Sequence, residues 1–298
     1  MKQRIITGTI IAIITALAIA SKLLPLTIGD YIFDVFVLAI MFVSGLEISD
    51  IFSKSGKNNY KIAISIYCVV NYVITLFTVK KFNLPMILLF QIFGLILYFF
   101  IIWIVSLLME KKEKKNCLDL AKNSILCCFY PIFLLGLMIN INHIDIIAGT
   151  KYFSLIIILM VFAVTMLTDT FAFFVGITFK GPKLAPTISP KKTISGSIGG
   201  LIGGICGALL VYALAKNVSI LSVGLEMYNL NIWEFVLFGL AGSLVGQCGD
   251  LFESKIKRQA GVKDSGTIFP GHGGMLDRVD AMTFVVTFMF IALVVILA

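Results

Sequence analysis

The chain has 298 residues, of which 59% are hydrophobic and 13% charged, with mean hydropathy +1.02 and formal net charge +8. So little polar surface cannot cover a water-soluble globule of this size, which excludes a soluble enzyme and makes lipid the main solvent. Positive loops on one side of a membrane and attraction to anionic headgroups account for the net charge, so no nucleic-acid partner is expected.

Apolar runs of about 18 to 25 residues match the length needed to cross ~30 Å of hydrocarbon at ~1.5 Å per residue, and helices satisfy their own backbone there. The predicted spans lie near 5–24, 31–49, 60–79, 84–109, 122–142, 150–178, 194–215, 231–252 and 279–298. The expected fold is all-α: a polytopic transmembrane bundle of about nine spans, forming one integral-membrane domain over 1–298. The first span reads as a retained helix, because Ser21, Lys22 and Leu23 lead at once into further hydrophobic segments. Of the 24 lysines and arginines, Lys22, Lys80, Lys81, Lys151 and Lys216 fall in one set of alternating loops and the other 19 in the opposite set. Positive charge gathers on the cytosolic side, so the N-terminus is predicted inside, the C-terminus outside and the most polar loops in the cytosol.

Residues 1–150 form hydrophobic helices without motifs, and the Glu110 to Lys115 connector reads as a solvated helix end. Residues 151–298 hold the polar loops and the expected catalytic helices. The six cysteines, Cys68, Cys117, Cys127, Cys128, Cys206 and Cys248, lie mostly in apolar spans without paired Cys-x-x-Cys spacing and read as small core residues. The seventh span carries Gly196, Gly200 and Gly204 beside Gly199, Gly203 and Gly207, two rows at i, i+4 on one helix face. Such a face is expected to let another backbone approach closely.

The densest polar stretch runs from Gly249 to Asp280. If the eighth helix continues past Asp250, a rotation of ~100° per residue places Asp250, Ser254 and Lys257 within about 40° of one another, with Glu253 and Arg258 flanking. Asp277 and Asp280 open the ninth span at i, i+3, so both carboxylates project from its first turn. A helix N-terminus keeps them ionised as hard oxygen ligands, and Asp250, Asp277 and Asp280 are the candidate ligands for Mg²⁺. Between the helices, Pro270-Gly271-His272-Gly273-Gly274 offers backbone N–H groups to phosphate oxygens.

Ser254-x-x-Lys257-Arg258, Lys263-Asp264-x-Gly266, Pro270-x-His272-Gly273-Gly274 and Asp277-Arg278-x-Asp280, in this order and spacing, resemble the signature of the phosphatidate cytidylyltransferases. A second stretch, Asp169 to Gly176 followed by Ser189-Pro190-Lys191-Lys192-Thr193, is similar to that family's Asp-x-x-Ala-Tyr-Phe and Ser-Pro-Lys-Lys-Thr elements. Here Ser195 replaces the usual acid, Lys180-Gly181 reverses a frequent Gly-Lys order, and Ile177 stands where a base is common. The resemblance covers motifs over roughly 165–282 and only general helical character before them.

The resemblance implies that a phosphate oxygen of phosphatidic acid attacks the α-phosphorus of CTP, releasing pyrophosphate and forming CDP-diacylglycerol. Mg²⁺ is the implied cofactor, with a second cation, divalent or K⁺, as a further expectation. Asp250, Asp277, Asp280, Lys263, Asp264 and His272 are the expected catalytic residues, with His272 a positioning donor. Ser254, Lys257, Arg258, Gly273, Gly274, Arg278, Ser189, Lys191, Lys192 and Asp169 are expected to contact substrate. The last of these sits in a long apolar span, where an ionisable group is costly and often functional. The implied partners are CTP, phosphatidic acid and membrane lipids, and the chain is compatible with a homo-oligomer. A bacterial inner membrane with the site facing the cytosol is the expected location. A CTP-dependent lipid kinase and, further off, a membrane transporter are the competing functions.

Overall fold

The structure, a computed structural model, describes residues 2–24, 26–54, 59–113, 117–150, 152–271 and 273–297. It divides into two compact units, one of Met1–Asn140, Ile256–Arg278 and Leu297–Ala298, the other of Ile141–Lys255 and Val279–Ile296. The signature loop after Lys255 is grouped with the N-terminal helices.

The first unit contains α1 (Lys2–Ala20), α2 (Leu26–Lys54), α3 (Lys61–Val79), α4 (Leu84–Glu113), α5 (Cys117–Cys127) and most of α6 (Leu134–Asn142). The expected fifth span is thus two helices joined through Cys128–Phe133. Pro131 lacks an amide hydrogen and crowds the residue before it, and Tyr130 accordingly takes extended angles of φ −117° and ψ 121°. Some polar side chains inside this unit are paired, which lowers the cost of burying them in an apolar surrounding. The Gln91 amide donates to Thr75 Oγ1 at 2.8 Å and the Tyr72 hydroxyl to Asp34 at 3.1 Å, while Lys22 pairs with Asp30. Cys68, Cys127 and Cys128 are buried as expected of small core residues, whereas Cys248 is exposed.

The second unit contains α7 (Ile144–Ala148), α8 (Phe153–Phe179), the strands β1 (Lys183–Ala185) and β2 (Ser189–Thr193), α9 (Ile194–Asn217), α10 (Ser219–Met227), and the greater parts of α11 (Ile232–Gln259) and α12 (Leu276–Ile296). The strands form an antiparallel hairpin with Lys183 opposite Thr193 and Ala185 opposite Ser189. Thr193 then caps α9, its hydroxyl accepting from the Gly196 amide at 3.1 Å.

The two glycine rows of α9 are buried and meet neighbouring backbones. A Cβ on Gly203 would stand 2.3 Å from the Leu167 carbonyl oxygen of α8, and one on Gly204 would stand 2.7 Å from the Gly239 carbonyl oxygen of α11. Ser197 and Gln247 add a hydrogen bond of 2.5 Å between α9 and α11. Small residues replace the hydrophobic effect as the source of close helix packing in lipid.

Among the described residues, nine helices are long and apolar enough to cross a membrane. The eighth continues to Gln259, beyond the hydropathy limit near 252 and past Asp250, as the site geometry requires.

Gly203→Ala should destabilise the protein by about 1–3 kcal/mol, because the displaced partner is backbone and cannot change rotamer. The lipid-exposed Ile202→Ala, one residue away on the opposite strip, should shift stability by no more than about 0.5 kcal/mol. Thermal unfolding of both variants in detergent distinguishes them.

Candidate active site

In the second unit the polar groups gather around the paired helices α11 and α12. Gly249 makes their approach possible: a Cβ there would lie 2.9 Å from the Asp280 carbonyl oxygen and 2.8 Å from the Phe284 ring. This contact sets Asp250 beside Asp280. Lys192, delivered by β2, forms an ion pair with Asp250 Oδ2, and the Ser254 hydroxyl donates to Oδ1 at 3.3 Å. The expected alignment of Asp250 with Ser254 is therefore present. Asp280 Oδ1 accepts from the Ala281 amide at 2.7 Å, and the carboxylate lies within electrostatic reach of Asp250, Glu253 and Asp169.

The hairpin that carries Lys192 is closed at its base by the residue that departs from the family pattern. The Ser195 hydroxyl donates to the Lys180 carbonyl and lies 3.1 Å from Thr193 Oγ1. Lys180 itself adopts φ 52° and Gly181 φ 112°, a turn that the glycine makes accessible. Lys191 is exposed, Ser189 is half-buried and Asp169 is exposed on α8.

In the first unit the signature loop closes around Asp277. Lys257 Nζ donates to Asp277 Oδ1 at 2.6 Å. Its Oδ2 accepts from the Ser265 amide at 2.8 Å, the Ser265 hydroxyl at 2.9 Å and the Gly274 amide at 2.8 Å. Gly273, at φ 81°, passes so close to this carboxylate that a Cβ would stand 2.4 Å from Oδ2. The charge of Asp277 is thus matched by Lys257, and its oxygens shape the loop.

Lys263, Asp264, Gly273 and Arg278 line one cavity of about 510 Å³, together with Gly266, Thr267 and Phe269 to Gly271. That volume is within the range of small-molecule sites. Arg258, expected to reach substrate, is exposed and donates to the Val262 carbonyl at 3.4 Å, near the end of α11. His272 lies outside the described residues.

Two residues of this cluster escape a sequence reading. Ser265 occupies a position that the signature motif leaves unspecified, yet it touches Asp277 through both its amide and its hydroxyl. Glu47, from α2, accepts the same hydroxyl at 3.0 Å. An acid within an apolar span was its available signal.

A divalent cation suits the second-unit cluster. Asp250 and Asp280 offer hard oxygen donors on neighbouring helices, and Asp250 is paired with Lys192. Among the described residues, no three of His, Cys, Asp and Glu converge closely enough to hold an ion by themselves. Mg²⁺ needs no such cage, because it retains water and commonly uses one or two protein carboxylates with substrate phosphates.

Fold and local chemistry define an integral-membrane helical protein whose polar loops carry carboxylates, lysines and close-approach glycines. The model of the cytidylyltransferase family matches residues 2–296, and the chain belongs to that family. A phosphatidate cytidylyltransferase of Staphylococcus haemolyticus is 46% identical over 146 residues, 49% of this chain and 52% of the relative. One of Brucella abortus is 40% identical over 139 residues, 47% of each chain. A third, of Staphylococcus epidermidis, is 35% identical over 204 residues, covering 68% of this chain and 70% of the relative. The chain thus spans about half the length of the first two relatives and over two thirds of the third.

The two lysine–aspartate pairs differ in burial: the side chains of Lys257 and Asp277 are 10% and 7% exposed, those of Lys192 and Asp250 29% and 26%. Removing one partner of a well-buried pair costs about 3–5 kcal/mol, whereas partly solvated pairs contribute up to about 1 kcal/mol. Lys257→Met should therefore lower the unfolding midpoint clearly more than Lys192→Met, as measured by chemical denaturation in detergent.

Proposed function

We propose that the protein transfers the cytidylyl group of CTP to phosphatidic acid, giving CDP-diacylglycerol and pyrophosphate. Family membership and the names of the relatives support the reaction class. The observation that carries the proposal is the cavity of about 510 Å³ whose wall brings Lys263 and Arg278 beside a glycine-rich backbone. Two cations beside a glycine-rich backbone complement a polyphosphate without requiring a sequence of proton transfers.

In this proposal Lys263 and Arg278 bind the triphosphate, and Gly271 and Gly273 line the same cavity. Lys192 and Lys257, now matched to Asp250 and Asp277, can turn toward phosphate oxygens when substrate brings its own negative charge. The nucleophile is an already ionised phosphate monoester, so no general base is needed. Asp250 and Asp280 supply oxygen ligands for Mg²⁺, and Asp277, one turn before Asp280 on α12, is retained from the sequence as a third. When bound, the cation supplies charge neutralisation for the phosphates and the leaving pyrophosphate. A second cation, divalent or K⁺, belongs to the same proposal.

The side carrying 19 of the 24 lysines and arginines supports a cytosol-facing site, and the bacterial relatives support a bacterial inner membrane. CTP from the cytosol and phosphatidic acid from the bilayer are the proposed substrates.

The test is transfer of label from α-³²P CTP into the organic phase by purified protein with phosphatidic acid and Mg²⁺. The wild type should label lipid, and Asp250→Asn should do so about 10²–10³-fold more slowly. CDP accumulation without labelled lipid would transfer the assignment to a lipid kinase, and absence of nucleotide turnover by folded protein would overturn it.

A further inference from the structure

The motif-free N-terminal half supplies a residue that no element of the signature announces. Glu47 on α2 is 6% exposed. Its Oε1 accepts the Met275 amide at 3.0 Å, and its Oε2 accepts the Leu276 amide at 2.8 Å and the Ser265 hydroxyl at 3.0 Å. Met275 immediately precedes α12 and Leu276 begins it, where a helix leaves amide hydrogens without intrahelical acceptors. A carboxylate from another helix thus performs the capping that is ordinarily local, and its negative charge faces the positive end of the α12 dipole.

The loop is wrapped around this carboxylate on both sides. A Cβ on Gly266 would stand 2.4 Å from Glu47 Oε1, and one on Gly274 would stand 2.4 Å from Oε2. Both glycines belong to the signature, and Gly266 also walls the cavity that contains Lys263 and Arg278. The acid therefore meets the loop where the loop becomes the cavity wall. Lys263 and Arg278 flank the span 265–276 that Glu47 fastens.

We propose that Glu47 is a positioning residue for nucleotide binding: by fastening Ser265, Met275 and Leu276 it holds Lys263 and Arg278 around one cavity. This rests on the proposed use of that cavity for CTP, but the fastening itself is independent of it. Glutamine cannot substitute, because its single acceptor oxygen and its NH₂ donor would face three donors. A buried donor left without an acceptor weakens the arrangement.

The experiment uses the full chain in detergent and compares wild type, Glu47→Gln and Ser265→Ala. It combines hydrogen exchange resolved to 273–277 with steady-state KM for CTP and for phosphatidic acid. Glu47→Gln should speed exchange at Met275 and Leu276 about tenfold, since each lost hydrogen bond is worth ~0.5–1.5 kcal/mol and 1.4 kcal/mol is tenfold. Exchange in α9 should remain unchanged, and KM for CTP should rise about tenfold without a matching rise for the lipid. Ser265→Ala should move both quantities the same way by less, and it decides the matter if Glu47→Gln does not fold. Unchanged exchange at 275–276, or an equal rise in both KM values, would overturn the proposal. If wild-type protein transfers no cytidylyl group, the functional proposal fails while the exchange comparison still decides whether Glu47 holds the loop.

Discussion

A carboxylate carried on an apolar helix is tolerable only where the protein supplies its hydrogen-bond donors, and this demand organises the signature loop. Glu47 and Asp277 meet it with the same short stretch of chain. The Ser265 hydroxyl lies 3.0 Å from one carboxylate and 2.9 Å from the other, and it has a single proton for both. The Asp277 amide, 3.3 Å away, donates to the hydroxyl oxygen, while the amides of Ser265, Gly274, Met275 and Leu276 complete the two acidic shells. The loop is short of apolar side chains to bury, so hydrogen bonds to fixed charges give it a definite shape.

The second unit obtains definition by a different means. Its helices are brought together by missing side chains: Gly203 and Gly207 against α8, Gly204 against α11, and Gly249 of α11 against α12. Close backbone approach in turn brings side chains at the ends of those helices together. Asp250 and Asp280 are neighbours because Gly249 leaves room for α12, so the Gly-Asp pair is a packing residue followed by a chemical one. Lys192 reaches Asp250 because Thr193 caps α9 and Ser195 closes the hairpin before it.

What could be read from sequence follows from locality. Nine apolar runs identified the nine membrane-length helices found among the described residues, because each run is its own evidence. The glycine rows of α9 announced close packing, and the four-residue spacing of Asp250 and Ser254 gave a contact within one helix. Glu47 was illegible because its partners lie more than two hundred positions away, and an isolated acid in a span carries no address. Pro131 divides the fifth run without reducing its hydropathy, so the break through Tyr130 left no trace in an apolar window. Nor did composition show that 256–278 would be grouped with the N-terminal helices.

Gly266 and Thr267 line two cavities. One is the space of about 510 Å³ shared by Lys263 and Arg278, and the other, about 670 Å³, extends along Val43, Leu46 and Asp50 of α2. Gly266, which lines both, has no side chain. An inhibitor built into the chamber along α2 would touch Gly266 and Thr267, which also line the cavity of Lys263 and Arg278. Its potency could then be tuned by the girth of a substituent aimed at Gly266, without any group that imitates a nucleotide.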